Sequence, residues 1–259
     1  MLLAIDIGNS LIKFGLFDGA ELLDKFAIAT KRDYRFEELQ FDRLQFADGR
    51  VLNVDTVMVS TVVPDLIDVV REASQAQFKV TPIFVDHGAD FGLKINCDPP
   101  TSVGIDRLIN ASSAAKTYGT PVLVCSFGTA TVIDAISKDG EFLGGIIAPG
   151  MKTMAESLHE RGAQLPPIEI TRPESLIGNS TASAIRSGVF NGHIAMVEGL
   201  IERFMSIGVP KKERLKPSLL PKVIATGGFA KLIATEVKAI DTVDENLTLD
   251  GLRLLAPTL

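Results

Sequence analysis

The sequence predicts an α/β fold of two related halves, each a mixed sheet flanked by helices, and three observations carry that prediction. Residues 2–28 read as apolar strands separated by glycine turns, the pattern of an antiparallel meander. After that opening, strand-like and helix-like segments alternate. The opening pattern then returns after a shift of about 120 residues, which an internal duplication explains most economically. The halves divide in chain order into 1–118 and 119–259.

Taken in order, Leu2–Ile7, Leu11–Phe17 and Glu21–Ile28 are the opening strands, with Asp18-Gly19 as a turn signal. Lys31–Gln45 is charged, with Tyr34, Leu39 and Leu44 unevenly spaced, and reads as a surface helix. The β-branched run Val54–Ser60 suits a buried strand, and Pro64 opens a helix to Gln75 that turns Leu66, Ile67, Val69 and Val70 inward. Pro82–Val85 is a short strand. Pro99-Pro100 stops regular structure, Ser102 is positioned to cap a helix, and Val103–Tyr118 is helical until Gly119 ends it.

The second half opens with strand Pro121–Cys125, the turn Ser126-Phe127-Gly128-Thr129-Ala130-Thr131, strand Val132–Ile136, the turn Asp139-Gly140 and strand Phe142–Ile147. Helix Met151–Arg161 follows Pro149-Gly150, and an extended loop runs from Leu165-Pro166-Pro167 to Gly178. Asn179-Ser180-Thr181 caps a long helix to about Ile207; its apolar side suits a core or a dimer seam, and Gly188 and Gly192 allow close approach. Lys211–Lys216 is a solvated basic loop. Lys222–Ala225 is a strand ending in Thr226-Gly227-Gly228, helix Phe229–Lys238 comes next, and Asn246–Leu259 closes the chain as a helix.

Composition excludes several classes. With 259 residues, 46% of them hydrophobic and 22% charged, the chain can bury a full core without staples. A net charge of −6 argues against a general nucleic-acid binder, which needs excess Lys and Arg. Cys97 and Cys125 stand far apart, so neither a zinc site nor a disulfide framework is indicated, and a reducing, cytoplasmic setting fits. No apolar run approaches a membrane span or a signal-peptide core.

The candidate chemistry begins at Asp6-Ile7-Gly8-Asn9-Ser10-Leu11-Ile12-Lys13. An acid at a strand end can position a hydrated divalent cation, and the glycine turn, Asn9 and Ser10 can donate to a phosphate, with Lys13 adding positive charge. The same residues are also ordinary hairpin chemistry. The repeated glycine turn at 126–131 changes that balance, because two such turns facing one another could hold a nucleotide's phosphates. Gly227-Gly228, between a strand and a helix, offers a further wall for a nucleotide. Asp106-Arg107 falls in the first turn of a helix beside Gly104, where an acid is favoured by the helix dipole whatever its role.

Together, Asp6-Ile7-Gly8-Asn9-Ser10, Gly104-Ile105-Asp106-Arg107, Phe127-Gly128-Thr129-Ala130-Thr131, Gly144-Gly145 with Pro149-Gly150, Gly178-Asn179-Ser180-Thr181 and Thr226-Gly227-Gly228 resemble the type III pantothenate kinases, of the sugar-kinase, Hsp70 and actin superfamily. The resemblance spans nearly the whole chain in order. It implies two ribonuclease-H-like (actin-like ATPase) halves, a homodimer, and phosphorylation of pantothenate by ATP without a phosphoenzyme, as the first step of coenzyme A synthesis. It makes Asp106 the general base. Gly104, Ile105, Asp106, Arg107 and Thr181 would line the pantothenate site, Arg107 pairing with the substrate carboxylate. Asp6 to Lys13 and Thr129 would hold the ATP phosphates, Asp6 through Mg²⁺, with Gly227 and Gly228 flanking the nucleotide.

Two positions depart from the family pattern. Ser126 stands where the family has an Asp that binds a monovalent cation, K⁺ or NH₄⁺, so the expected cation site lacks its carboxylate. Cys97 stands where the family tends to place a substrate-packing Tyr. These departures motivate the alternative of a weak or silent homologue acting as a nucleotide-binding regulatory dimer. A sugar or acetate kinase fits the Gly-x-Asp-Arg and Gly-Asn-Ser-Thr segments less well.

Overall fold

The computed structural model describes residues 1–39, 41, 53–207 and 220–256. By contact the chain forms two compact units: Met1–Leu93 with Cys97–Ser113 and Asn246–Leu259, and Lys94–Asn96 with Ala114–Glu245. The sequence reading cuts once, between 118 and 119, whereas these units interleave. The C-terminal segment belongs with the N-terminal unit, and residues 94–96 pair into the other sheet.

The first unit is built on strands β1 (Leu2–Ile7), β2 (Leu11–Asp18), β3 (Glu21–Ala29), β4 (Thr56–Thr61) and β5 (Ile83–Phe84), in the order β3-β2-β1-β4-β5. β1 runs antiparallel to β2 and parallel to β4. Alternation turns Leu3, Ile5 and Ile7 to one face, where they meet Val57 and Val59 and the buried Val70 and Ala73 of α1 (Ile67–Phe78). Gly15 is packed by Leu249 of the C-terminal helix α6 (Leu247–Leu255). That helix crosses α2 (Ile105–Tyr118) closely: a Cβ on Gly251 would lie 2.5 Å from Ile109, and Thr248 Oγ1 donates to Asn110 Oδ1 at 2.8 Å.

The second unit repeats this plan. Its strands are β6 (Lys94–Ile95), β7 (Val122–Phe127), β8 (Ala130–Ile136), β9 (Glu141–Pro149), β10 (Lys222–Thr226) and β11 (Thr242–Val243), in the order β11-β10-β7-β8-β9-β6. Read from β9 to β11, that order matches β3 to β5, with the same parallel and antiparallel pairings and β6 added at the edge. Two mixed sheets of one topology are what a duplicated ribonuclease-H-like fold requires. Leu123, Cys125 and Phe127 of β7 face the core side of α3 (Met151–Arg161) and α4 (Thr181–Ser206).

Three segments differ from the sequence reading. Between Lys31 and Gln45 the described residues hold a 3₁₀ turn, Phe36–Glu38, and residue 40 and those from 42 on lie outside the described set. Tyr34, Phe36, Leu39 and Phe41 all pack inward, a spacing no single helical face can present. The helix expected from Val103 begins at Ile105, because Ser102 closes a 3₁₀ turn by donating to Pro99 O at 2.7 Å, and Gly104 O receives the N–H groups of Arg107 and Leu108. The helix expected over Phe229–Lys238 is the short α5, Ala230–Ala234. Thr235 Oγ1 donates back to Leu232 O, and Val237 beyond it is fully buried. The expected basic loop Lys211–Lys216 lies outside the described residues.

Candidate active site

The first unit places Asp6 at the end of β1 with its partners fixed by register. Lys13 lies opposite it on β2 and Ser60 beside it on β4. Ser60 Oγ donates to Asp6 Oδ1 at 2.7 Å, and Lys13 Nζ lies 3.5 Å from Oδ2. Asp6 is 8% exposed, so its carboxylate keeps a narrow outlet to solvent while two donors orient it. The turn beyond it is closed by Gly8 N–H to Leu11 O at 3.0 Å and braced by Thr30 Oγ1 donating to Gly8 O at 2.7 Å. Asn9, Ser10 and Leu11 are exposed on this turn, whereas Ile7 and Ile12 are sealed in the core and offer a ligand only their backbone.

Asp106 sits in the first turn of α2, half-buried with Gly104, Ile105 and Arg107. The glycine has a spatial reason. A Cβ on Gly104 would lie 2.6 Å from Asp106 Oδ1, so the carboxylate occupies the volume a side chain would need. His87 Nε2 meets Val103 O at 2.8 Å and holds the segment leading into the helix. Gly104→Ala is therefore expected to displace the carboxylate and lower kcat by about 10–100-fold with little loss of stability. Steady-state kinetics beside a urea melt checks this. An unchanged kcat would mean that the carboxylate's placement does not matter.

In the second unit, Ser126 takes the place of Asp6. Its register partners are Val132 on β8 and Thr226 on β10, so both the acid and the lysine of the first hairpin are gone while the hydroxyl on the parallel neighbour is kept. Gly128 and Thr129 are exposed at the turn, closed by Gly128 N–H to Ala130 O at 3.0 Å. Thr129 O accepts from Gly150 N–H at 3.0 Å and Thr153 Oγ1 at 2.6 Å.

Gly227 and Gly228 lie against this turn. Gly227 has φ +95°, and a Cβ on it would meet Phe127 O at 2.5 Å, so only glycine fits there. Nothing lies within 4 Å of a Cβ on Gly228. Gly227→Ala is expected to cost about 2–4 kcal/mol and Gly228→Ala a small fraction of that, read as urea midpoints. Equal costs would show that the close approach to Phe127 is not what the turn depends on.

Thr181 is exposed at the first position of α4, where Ser180 caps by accepting from Ser183 N–H at 3.2 Å. Cys97 is half-buried, and Cys125 is sealed in the core, where burial and the Asp134 carboxylate push its thiol pKa up. No group of three or more His, Cys, Asp or Glu able to hold a metal occurs among the described residues. An ion at Asp6 would therefore depend on ligands from a bound nucleotide and water. A cavity of about 900 Å³ is lined by residues of β3 and α1 with Tyr34, Phe36, Leu39 and Phe41, and none of the candidate residues lines it.

Ser60 was not singled out from sequence, and Thr226 was named only as the start of the Thr226-Gly227-Gly228 motif. The signal was present in the repeat: in each half the strand parallel to the first strand carries a hydroxyl residue, Ser60 or Thr226, at the register position of Asp6 or Ser126.

A family model described as type III pantothenate kinase matches residues 2–203. The chain belongs to that family. Type III pantothenate kinases of Citrifermentans bemidjiense and Myxococcus xanthus are 39% and 40% identical to it, over 98% of this chain and 98% and 97% of theirs. Among solved structures, a Campylobacter jejuni protein assigned to the Baf transcriptional-activator family is similar over 98% of this chain and 96% of its own, with TM-score 0.59 at 19% identity. A Clostridium difficile activator of 2-hydroxyisocaproyl-CoA dehydratase, solved with bound ADPNP, has TM-score 0.50 at 13% identity over 98% and 92%. At those identities the two structures speak for the fold alone. As a type III pantothenate kinase the chain is an ATP-using transferase, and no described helix is long and apolar enough to cross a membrane.

Proposed function

We propose that this chain transfers the γ-phosphoryl group of ATP to the hydroxyl of pantothenate. The observation that carries the reading is identity of 39% with a type III pantothenate kinase over 98% of the chain, with the Gly104-Ile105-Asp106-Arg107 segment intact. Asp106 accepts the hydroxyl proton as the new O–P bond forms and the bond from Pγ to the β,γ-bridging oxygen breaks, releasing ADP. A carboxylate at a helix N-terminus is a modest base, which suffices where the transition state is loose and proton transfer is late. Arg107 pairs with the substrate carboxylate, and Ile105, Gly104, Thr181 and Cys97 border the substrate.

The exposed turns at Asp6–Lys13 and at Thr129 contact the phosphates, and Gly227-Gly228 flanks the nucleotide. Mg²⁺, when bound, neutralises phosphate charge, and Asp6 is the residue that fits it: a carboxylate oriented by Ser60 with an outlet to solvent. A monovalent cation near Ser126 would meet neutral oxygens, so turnover should respond weakly to K⁺ or NH₄⁺. A cytoplasmic homodimer completes the reading. Its support is α4, where Ala184, Gly188, Gly192 and Ala195 are exposed and a Cβ on either glycine meets nothing within 4 Å. The glycines of α4 thus serve no close packing among the described residues of the chain itself.

The test is a coupled ADP-release assay with ATP, Mg²⁺ and pantothenate, with and without K⁺ or NH₄⁺, beside sedimentation of the same protein. Turnover supports the reading. A folded protein that releases no ADP at high ATP would overturn it.

A further inference from the structure

The turn Gly128-Thr129-Ala130 is flanked by the ladder pair Phe127 opposite Thr131, besides the bonds that Thr129 O accepts from Gly150 and Thr153. Both members of that pair touch a single side chain from α4. His193 Nε2 lies 2.7 Å from Thr131 Oγ1, and the imidazole stands edge-on to the Phe127 ring, centroids 6.2 Å apart at 70°. The arrangement is dry: Thr131 is 0%, Phe127 1% and His193 1% exposed. Among the described residues, buried His193 Nδ1 has no hydrogen-bond partner.

The state of the ring is assigned from these contacts. A buried N–H without an acceptor costs more than a bare lone pair, so the proton sits on Nε2 and donates to Thr131 Oγ1. Burial also lowers the His193 pKa to about 4, which keeps the ring neutral at ordinary pH. A neutral, fully enclosed histidine has no route to substrate. What it can do is fix the two residues that flank the turn.

We propose that His193 is a positioning residue for nucleotide binding: from α4 it grips Phe127 and Thr131 and so holds Gly128 and Thr129 in the conformation that receives the phosphates. The proposal rests on reading the 126–131 turn as a nucleotide-phosphate element. It adds a role for the middle of α4, about 18 Å along the helix from Thr181, at 1.5 Å per residue. Thr131 is thereby part of the turn's support and not a ligand contact.

The experiment compares His193→Leu, His193→Gln, Thr131→Val and the His193→Leu/Thr131→Val double variant. Two quantities are measured on each: the Kd for ADPNP with Mg²⁺ by calorimetry, and KM for ATP and for pantothenate. His193→Leu is expected to raise the ADPNP Kd and the KM for ATP about three- to tenfold, with the KM for pantothenate within about twofold. His193→Gln, whose amide can still donate to Thr131, should recover most of the loss. Thr131→Val should match His193→Leu, and the double variant should be no worse than either, since both remove one interaction.

An unchanged ADPNP Kd in the folded His193→Leu protein would overturn the proposal. So would equal losses for ATP and pantothenate, which mark general loosening. If His193→Leu does not fold, His193→Gln and Thr131→Val decide by the same Kd. Absence of pantothenate turnover in the unaltered protein would sink the functional reading, while ADPNP binding would still judge His193.

Discussion

Asp106→Asn is expected to lower kcat by about 10²–10⁴-fold, the range that general base catalysis supplies, with KM for ATP nearly unchanged. The asparagine amide is the same shape as the carboxylate and fits the volume left by Gly104, so geometry is conserved and the basic oxygen is lost. Removing one negative charge from the first turn of α2 forgoes about 0.3–1 kcal/mol of helix-dipole stabilisation, and the half-buried position tolerates an isosteric amide, so the protein should stay folded. A loss confined to kcat identifies proton transfer; a loss confined to KM for pantothenate would recast Asp106 as a binding group. Residual kcat within about tenfold of the unaltered enzyme would remove it from the chemistry.

Asp6→Asn should cost at least about 100-fold in kcat/KM for MgATP, close to 2.7 kcal/mol of transition-state stabilisation. The variant strips the carboxylate while leaving Lys13 and Ser60 aimed at the position. It also leaves a half-buried lysine without its anion, so the effect on MgATP combines lost metal affinity with new positive charge nearby. Ser126→Ala, removing a neutral hydroxyl from the corresponding place, should change the same parameter less than about threefold. Titrating Mg²⁺ separates the causes: a raised Mg²⁺ requirement points to the ion, an unchanged one to hairpin geometry. Untouched turnover in Asp6→Asn would deprive the first hairpin of its role.

Much of this was legible in the residues. The meanders, the repeat and the helices over Met151–Arg161 and from Thr181 follow local rules of alternation, turn and cap that act within a few residues. What escaped depends on partners far apart in sequence. Nothing near Ser60 announces its bond to Asp6, fifty-four positions away, since β4 must first lie parallel to β1. His193 reads as one more position on a long helix until Thr131 is set against it, sixty-two residues earlier. The short α5 shows the same limit: the chain leaves the helix after Ala234 and buries Val237, which local propensity does not see. Gly104 is a middle case: its place before a helix was readable, while the volume it leaves for Asp106 was not.

Helix α6 has a consequence for how the enzyme is made. Leu247, Leu249 and Leu252 are buried, and Gly251 is locked against Ile109, in the same unit as Asp6 and Asp106. A ribosome delivers those residues after all the other parts of their unit. At about 5–20 residues per second, the strands and helices up to Ser113 wait on the order of ten seconds or more for the helix that packs on them. The intervening unit, Ala114–Glu245 with its short N-terminal strand, has all its parts earlier. The order of folding thus departs from the order of translation: residues 114–245 can settle first, and both carboxylates stand on a finished scaffold only when α6 has emerged.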